Sequence, residues 1–139
     1  MAGTYVHGGQ PGFSTSFNSV ALCLDSFDIT INRNVVDAQT NCGIVKTPGQ
    51  VTSEYSGGGP LGFGAGSDEA TMYAHMTATT AVALVFKPST AAVGAGNPSY
   101  TGSVYATQFK LTASPAGNIT YGWSAMENNT TGYPTRATA

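Results

Sequence analysis

Apolar and polar residues alternate through most of this chain, and the alternation breaks wherever glycine, proline or asparagine cluster, the pattern of short strands separated by turns. The clearest run is 25–32, where Phe27, Ile29 and Ile31 point one way and Asp28, Thr30 and Asn32 the other, which predicts a strand with one buried face. Upstream, Val20, Leu22 and Leu24 alternate with Ala21 and Cys23 and predict a short strand over 17–24 buried on both faces. Arg33 and Asn34 predict a turn, after which 35–40 resumes as a second short strand with Asp37 on its exposed side. Residues 41–50 carry Gly43, Pro48 and Gly49 and predict a loop before the alternating run 51–56. A loop of that length in a compact domain is commonly functional or disordered.

Gly57, Gly58 and Gly59 with Pro60, then Gly62, Gly64 and Gly66, predict a flexible stretch. Ser67 is placed to cap a helix, with Asp68 and Glu69 where a helix N-terminus favours acids. Glu69, Met72, Tyr73, Met76 and Thr80 fall on one stripe at helical spacing, and the β-branched Thr77, Thr79 and Thr80 predict its end. Residues 81–86 read as a central strand stopped by Lys87 and Pro88, and 89–98 as another loop. From 100 to 113 alternation returns, with Tyr105, Thr107, Phe109 and Leu111 on one face and Val104, Ala106, Gln108 and Lys110 on the other. After a turn at 115–118, Ile119, Tyr121, Trp123 and Ala125 alternate with Thr120, Gly122, Ser124 and Met126, which predicts an antiparallel hairpin with the preceding run.

Seven or eight short strands with one helix predict a mainly β chain: a β-sandwich or barrel subunit of antiparallel strands with one short flanking α-helix, long loops and extended terminal arms. The length of 139 residues fits one domain over 1–139, with an N-terminal arm at 1–16 and a polar C-terminal tail at 127–139. No repeat of solenoid period and no heptad pattern is present.

Composition narrows the class of function. Only 9% of residues are charged, against roughly a quarter in an ordinary domain. Either neighbouring copies cover much of the surface, as in an assembly subunit, or neutral Thr, Ser, Asn and Gln solvate it unaided. Five basic residues, Arg33, Lys46, Lys87, Lys110 and Arg136, are scattered along a chain of net charge -2, and no basic patch can be drawn from them. Tight DNA binding by one subunit is disfavoured, since it needs clustered cations on several phosphates. No apolar run approaches the ~20 residues of a membrane span, and the first residues lack the charge and apolar pattern of a secretory signal. The expectation is a cytosolically made chain whose Cys23 and Cys42 stay reduced.

Candidate chemistry is thin. His7 and His75 read as structural or solvated, no Cys-x-x-Cys or His-x-x-x-His occurs, and Asp25, Asp28 and Asp37 do not converge on strand geometry. The glycine runs have no Lys-Ser or Lys-Thr to close a phosphate loop. Triplets at Asn118, Asn128 and Asn129 match the glycosylation pattern at the frequency a Thr-rich chain gives by chance. The expectation is a non-enzymatic chain with no catalytic residue, no cofactor and no metal.

The order of parts carries a resemblance. The strand over 26–31, then 36–40, a long segment ending at Pro48 and Gly49, the strand over 54–57, an acid-capped helix, the run 82–86 and the paired strands ending at Trp123 resemble the tail tube (major tail) protein family of long-tailed bacteriophages, over about 24–125. The triple glycine and the Gly-rich N-terminus depart from that pattern. The resemblance implies a subunit that closes into six-membered rings, which stack into a tube whose lumen holds the tape-measure protein during assembly and conducts double-stranded DNA during infection. It implies self-contacts, tail terminator and tip proteins as partners, no membrane insertion, and a place in the virion after synthesis in the host cytoplasm. By the same resemblance 41–50 is the stacking loop, with Asn41, Lys46, Pro48 and Gly49 as inter-ring contacts, and the two termini are further inter-ring candidates. Head-to-tail contacts that close would bury a weakly charged surface, and sparse cations suit DNA that must slide.

Two other readings stand beside it. One is another virion component: a tail terminator, a capsid decoration protein or the inner tube of a contractile system. The other is a carbohydrate-binding adhesive module using Tyr55, Tyr105, Tyr121 and Trp123 for stacking, against which three of the four lie on one predicted core face and so read as core packing.

Overall fold

The structure, a computed structural model, describes residues 13–60, 68–115, 117 and 119–139. Among these, eight strands and one helix follow in the order β1 (Ser14–Phe17), β2 (Val20–Ala21), β3 (Ser26–Thr40), β4 (Gly43–Pro60), α1 (Asp68–Met76), β5 (Val82–Lys87), β6 (Ser99–Thr112), β7 (Thr120–Glu127) and β8 (Thr135–Ala137). All pairings are antiparallel, in one sheet ordered β2-β1-β5-β6-β7-β4-β3, with β8 beside the start of β6. The expected mainly β class with a single short helix is what the chain adopts.

The sheet is rolled on itself. Phe27 of β3 and Phe86 of β5 lie four strand positions apart, which on a flat sheet would separate them by roughly 19 Å. Their rings instead stack with centroids 4.7 Å apart and planes 15° from parallel. Inside the roll Trp123 meets Phe17 edge to face at 5.8 Å, and Tyr55, Met72, Leu84 and Val104 are buried with them. Each such side chain contributes about 1.5–3 kcal/mol on leaving water, and together they fix the roll.

Where the β7 alternation predicts a core face, the structure agrees: Tyr121, Trp123 and Ala125 are buried, and β6 and β7 form the expected hairpin. Elsewhere it corrects the reading. The predicted strand over 17–24 is a hairpin, with Asn18 and Ser19 at φ 51° and 66° turning β1 into β2, a two-residue connection of the kind Asn favours. Residues 14–16, expected in the N-terminal arm, are therefore strand; residues 1–12 of that arm, His7 among them, lie outside the described residues.

Arg33 and Asn34 make no turn. They sit at a register shift inside a continuous β3, which pairs with β4 from Ser26 opposite Gly58 to Thr40 opposite Gly43. The predicted loop over 41–50 is accordingly strand, apart from the reversal at Asn41 and Cys42. Thr40 Oγ1 donates to the Gly43 carbonyl at 2.8 Å and accepts from the Cys42 amide at 3.2 Å, closing the turn without a loop.

Gly57, Gly58 and Gly59 are likewise strand, not linker: all three pair with β7, and Gly57 and Gly58 also pair with β3. A Cβ on Gly58 would stand 2.6 Å from the Tyr121 carbonyl oxygen, so the approach of β7 requires a residue without one. Gly62, Gly64, Gly66 and the proposed cap Ser67 lie outside the described residues.

On α1 only Met72 of the predicted stripe is buried; Tyr73 and Met76 face outward. The inward side is Met72 with His75, whose ring lies 4.7 Å from Phe17. On β6 a register shift between Ala106 and Gln108 splits the predicted face: Val104 and Ala106 pack inward, then Phe109, while Tyr105 and Leu111 are exposed. The tail beyond Glu127 returns to the sheet as β8, and Gly132 accepts a 2.6 Å hydrogen bond from Ser53 Oγ. The 89–98 segment is the expected loop, pinned by Asn97, which accepts from the Ser89 amide at 3.0 Å and donates to the Ala91 carbonyl at 2.8 Å.

Candidate functional site

Beyond the bulge at Arg33 and Val35 the β3–β4 ribbon leaves the body of the subunit. Its distal rungs run from Val35 opposite Pro48 to Thr40 opposite Gly43, an arm of roughly 20 Å at ~3.3 Å per residue. Val35, Val36, Ile44 and Val45 on it are 52–63% exposed. Cross-strand partners share a face. One face of the arm therefore carries Val35, Asp37, Gln39, Ile44, Lys46 and Pro48, and the other carries Val36, Ala38, Val45 and Thr47. Apolar residues stand on both. An isolated two-stranded hairpin is marginal in water, and among the described residues none covers the β-branched side chains of this one.

The four residues expected to make contacts all lie on this ribbon, though not as a loop. Asn41 is at the tip, where its Oδ1 is 3.5 Å from Cys42 Sγ. Lys46 is midway, with Nζ 3.0 Å from Asp37 Oδ1 in an exposed ion pair, a kind worth only about 0–1 kcal/mol. Pro48 and Gly49 are at the bulge, where a Cβ on Gly49 would stand 2.8 Å from the Asn34 carbonyl oxygen. Reading 41–50 as a loop hides two of the four exposed apolar residues, Ile44 and Val45, although two adjacent β-branched residues inside a supposed loop are a signal.

β3 is also the end of the sheet, and no strand pairs with its outer edge among the described residues. A 15-residue edge presents a long row of backbone donors and acceptors, and such edges are normally shortened, charged or covered.

At the root of the arm a groove of about 450 Å³ opens between β3–β4 and the C-terminal segment. Its apolar wall is Ile31, Val51, Tyr100, Tyr133 and Pro134. Arg33 and Arg136 also line it, so the fold gathers two of the five cations that look scattered in sequence. A second, polar depression of about 240 Å³ includes Thr30, Glu54, Ser56, Thr107 and Ser124.

Inside, the Tyr55 hydroxyl donates to Glu127 Oε2 at 2.6 Å, and Glu127 Oε1 accepts from the Ser103 amide at 2.9 Å. Burial first, then the hydrogen bond and the charge of Glu127, push the Tyr55 phenol above its ordinary value. Burial pushes the His75 imidazole down. Tyr55, Tyr121 and Trp123 are core residues and only Tyr105 is exposed, so the four aromatics considered for sugar stacking form no shared platform. Cys23 and Cys42 are both exposed and not bridged to each other. Among the described residues no three His, Cys, Asp or Glu side chains gather as a metal site, and no helix is long and apolar enough to cross a membrane.

No family model and no curated protein sequence matches this chain. Solved structures do. A chain of the virion of the native gene transfer agent (GTA) particle superposes with a TM-score of 0.65 at 12% identity, over 91% of this chain and 95% of that one. A chain from the tail of the empty GTA particle, computed with helical refinement and C6 symmetry, gives a TM-score of 0.58 at 15% identity over 84% and 81%. The similarity is one of fold, and it spans the rolled sheet nearly end to end.

Proposed function

We propose that this chain is a structural subunit of a phage-like tail, which closes into rings, six-membered by analogy with the C6 tail whose chain shares its fold, and stacks those rings into a tube. The observation that carries the reading is the unpartnered hairpin arm. A ribbon of roughly 20 Å with apolar residues on both faces is unfinished in one subunit and complete when it lies on another. The open edge of β3 supports lateral contact of the same kind, because strand addition to such an edge satisfies its backbone groups. Interfaces of this sort bury a weakly charged surface.

The subunit acts as wall. Its lumen would hold a tape-measure protein during assembly and pass double-stranded DNA afterwards, with terminator and tip proteins closing the ends and the finished tube residing in the virion. A chain with only five Lys and Arg residues suits a sliding duplex, since each added phosphate contact would retard it.

The test is to replace residues 35–48 by a two-residue turn and compare both proteins by negative-stain electron microscopy at equal concentration. The native chain is expected to form long tubes, and the shortened chain a folded subunit or single ring. Tubes from the shortened chain would overturn the role of the arm. Native rings that never stack would favour a tail terminator or a capsid decoration protein instead.

A further inference from the structure

The arm is one half of a contact, and the groove at its own root has the chemistry of the other half. We infer that this groove, walled by Ile31, Val51, Tyr100 and Tyr133 and flanked by Arg33 and Arg136, is the acceptor for the arm of a second copy. The inference rests on the stacking reading above and names the surface on which stacking occurs.

Three observations select that occupant. The first is charge. The groove holds two guanidiniums and no carboxylate among its lining residues, so it favours an occupant that brings an acid beside apolar groups. The arm brings Asp37 on the same face as Ile44 and Val35. Among the described residues Asp37 is held by its exposed pair with Lys46, and a carboxylate accepts from further donors without giving up the first.

The second is size. About 450 Å³ lies in the range that encloses a drug-sized body, which corresponds to a few side chains of the arm and not to a whole ribbon. Ile44, the most exposed of the arm's large apolar residues at 63%, with its neighbours fits that description.

The third is geometry. The groove is at the base of the ribbon and Asn41 and Cys42 are at its far end, so an arm cannot reach the groove of its own subunit. Arm into groove is a heterologous contact, which repeats without closing when the operation includes a translation along an axis. That is the operation needed to grow layers. The acceptor also depends on the C-terminal segment, because Tyr133, Pro134 and Arg136 form one wall. The tail therefore takes part as a docked receiver, not as a second free arm.

Cys42 supplies the probe. In a Cys23→Ser background, chains carrying Asn32→Cys with Cys42→Ser are mixed with chains that retain Cys42 alone, assembled, and oxidised. A disulfide-linked dimer of the two chains is expected in the assembled fraction and not in the subunit fraction. Separately, Arg136→Glu is expected to leave thermal unfolding of the subunit unchanged and to raise the protein concentration needed for polymers by roughly tenfold or more. Normal polymerisation of Arg136→Glu with no Cys42 cross-link, while the shortened-arm chain still fails, places the arm elsewhere and overturns this inference alone. A native chain that makes no polymer overturns the stacking reading and this inference together.

Discussion

Tyr55 of β4 donates its phenolic hydrogen to Glu127 of β7 over 2.6 Å, and the other carboxylate oxygen of Glu127 accepts from the Ser103 amide of β6. One side chain thus ties three strands together where the sheet rolls over Trp123. A Cβ on Gly102 would overlap both Glu127 Oε2 and the Tyr55 hydroxyl, so the space for this junction exists only because that residue is glycine.

Removing the hydroxyl by Tyr55→Phe leaves a partly buried carboxylate short of a donor, and bonds to charged groups contribute about 1.5–3 kcal/mol. Urea unfolding of the subunit should shift by that amount with an unchanged slope. A loss below about 0.5 kcal/mol would mean that water replaces the phenol. The same junction predicts alkaline behaviour. The folded phenol titrates above its ordinary value of 10.0, so the unfolded chain releases that proton first. The contribution to stability is whole below pH 10 and declines as pH rises beyond it. Tyr55→Phe should flatten this alkaline decline.

Gly132 governs the tail. It has φ 77°, and a Cβ there would run into the Val51 carbonyl. Gly132→Ala combines left-handed strain with a backbone clash, which costs more than the ~1 kcal/mol of an ordinary glycine substitution. Because Gly132 anchors the segment leading to β8 through Ser53 Oγ, the loss should be local. Limited proteolysis should cut the variant within 128–139 at protease levels that spare the native chain, and polymerisation should weaken with it.

His75 predicts an acid dependence. Burial against Phe17 lowers its folded value below 6.5, so the unfolded chain binds the proton more readily. Stability is therefore complete above pH 6.5 and falls as pH drops from there towards the folded value. His75→Gln should remove that part of the slope below pH 6.5, measured by thermal melts at fixed ionic strength. An unchanged slope would assign the acid sensitivity to the carboxylates.

How much of this was legible in the sequence differs by element. The strand at Phe27 and Ile29 and the β7 face with Trp123 follow from period-two alternation, because each packs against one core and its pattern has a single cause. The arm did not follow. Pro48 and Gly49 are breakers by local rule, yet Pro48 sits beside a bulge on a ribbon that no other described residue covers, where a missing amide hydrogen does little harm. Gly57, Gly58 and Gly59 read as linker because their reason is tertiary: two neighbouring backbones crowd them. On β6 the bulge after Ala106 moves the inward face from even to odd positions, a shift that alternation cannot announce. The apolar residues of the arm are visible as letters, but their role requires knowing that no other described part of the subunit covers them.

Hydrogen exchange can read the arm directly. Amides near the core rung of Ile29 and Tyr55 belong to a sheet with a packed interior and should exchange only through global unfolding. Those of the distal rungs, from Val36 opposite Thr47 outwards, belong to a two-stranded ribbon with solvent on both faces, and local opening there costs little. In the free subunit the distal amides should exchange orders of magnitude faster than the core ones. On polymerisation they should slow towards core rates, while core amides change little. Equal protection of arm and core in the free subunit would show that the ribbon is stable alone, and the physical reason for its needing a neighbour would be lost.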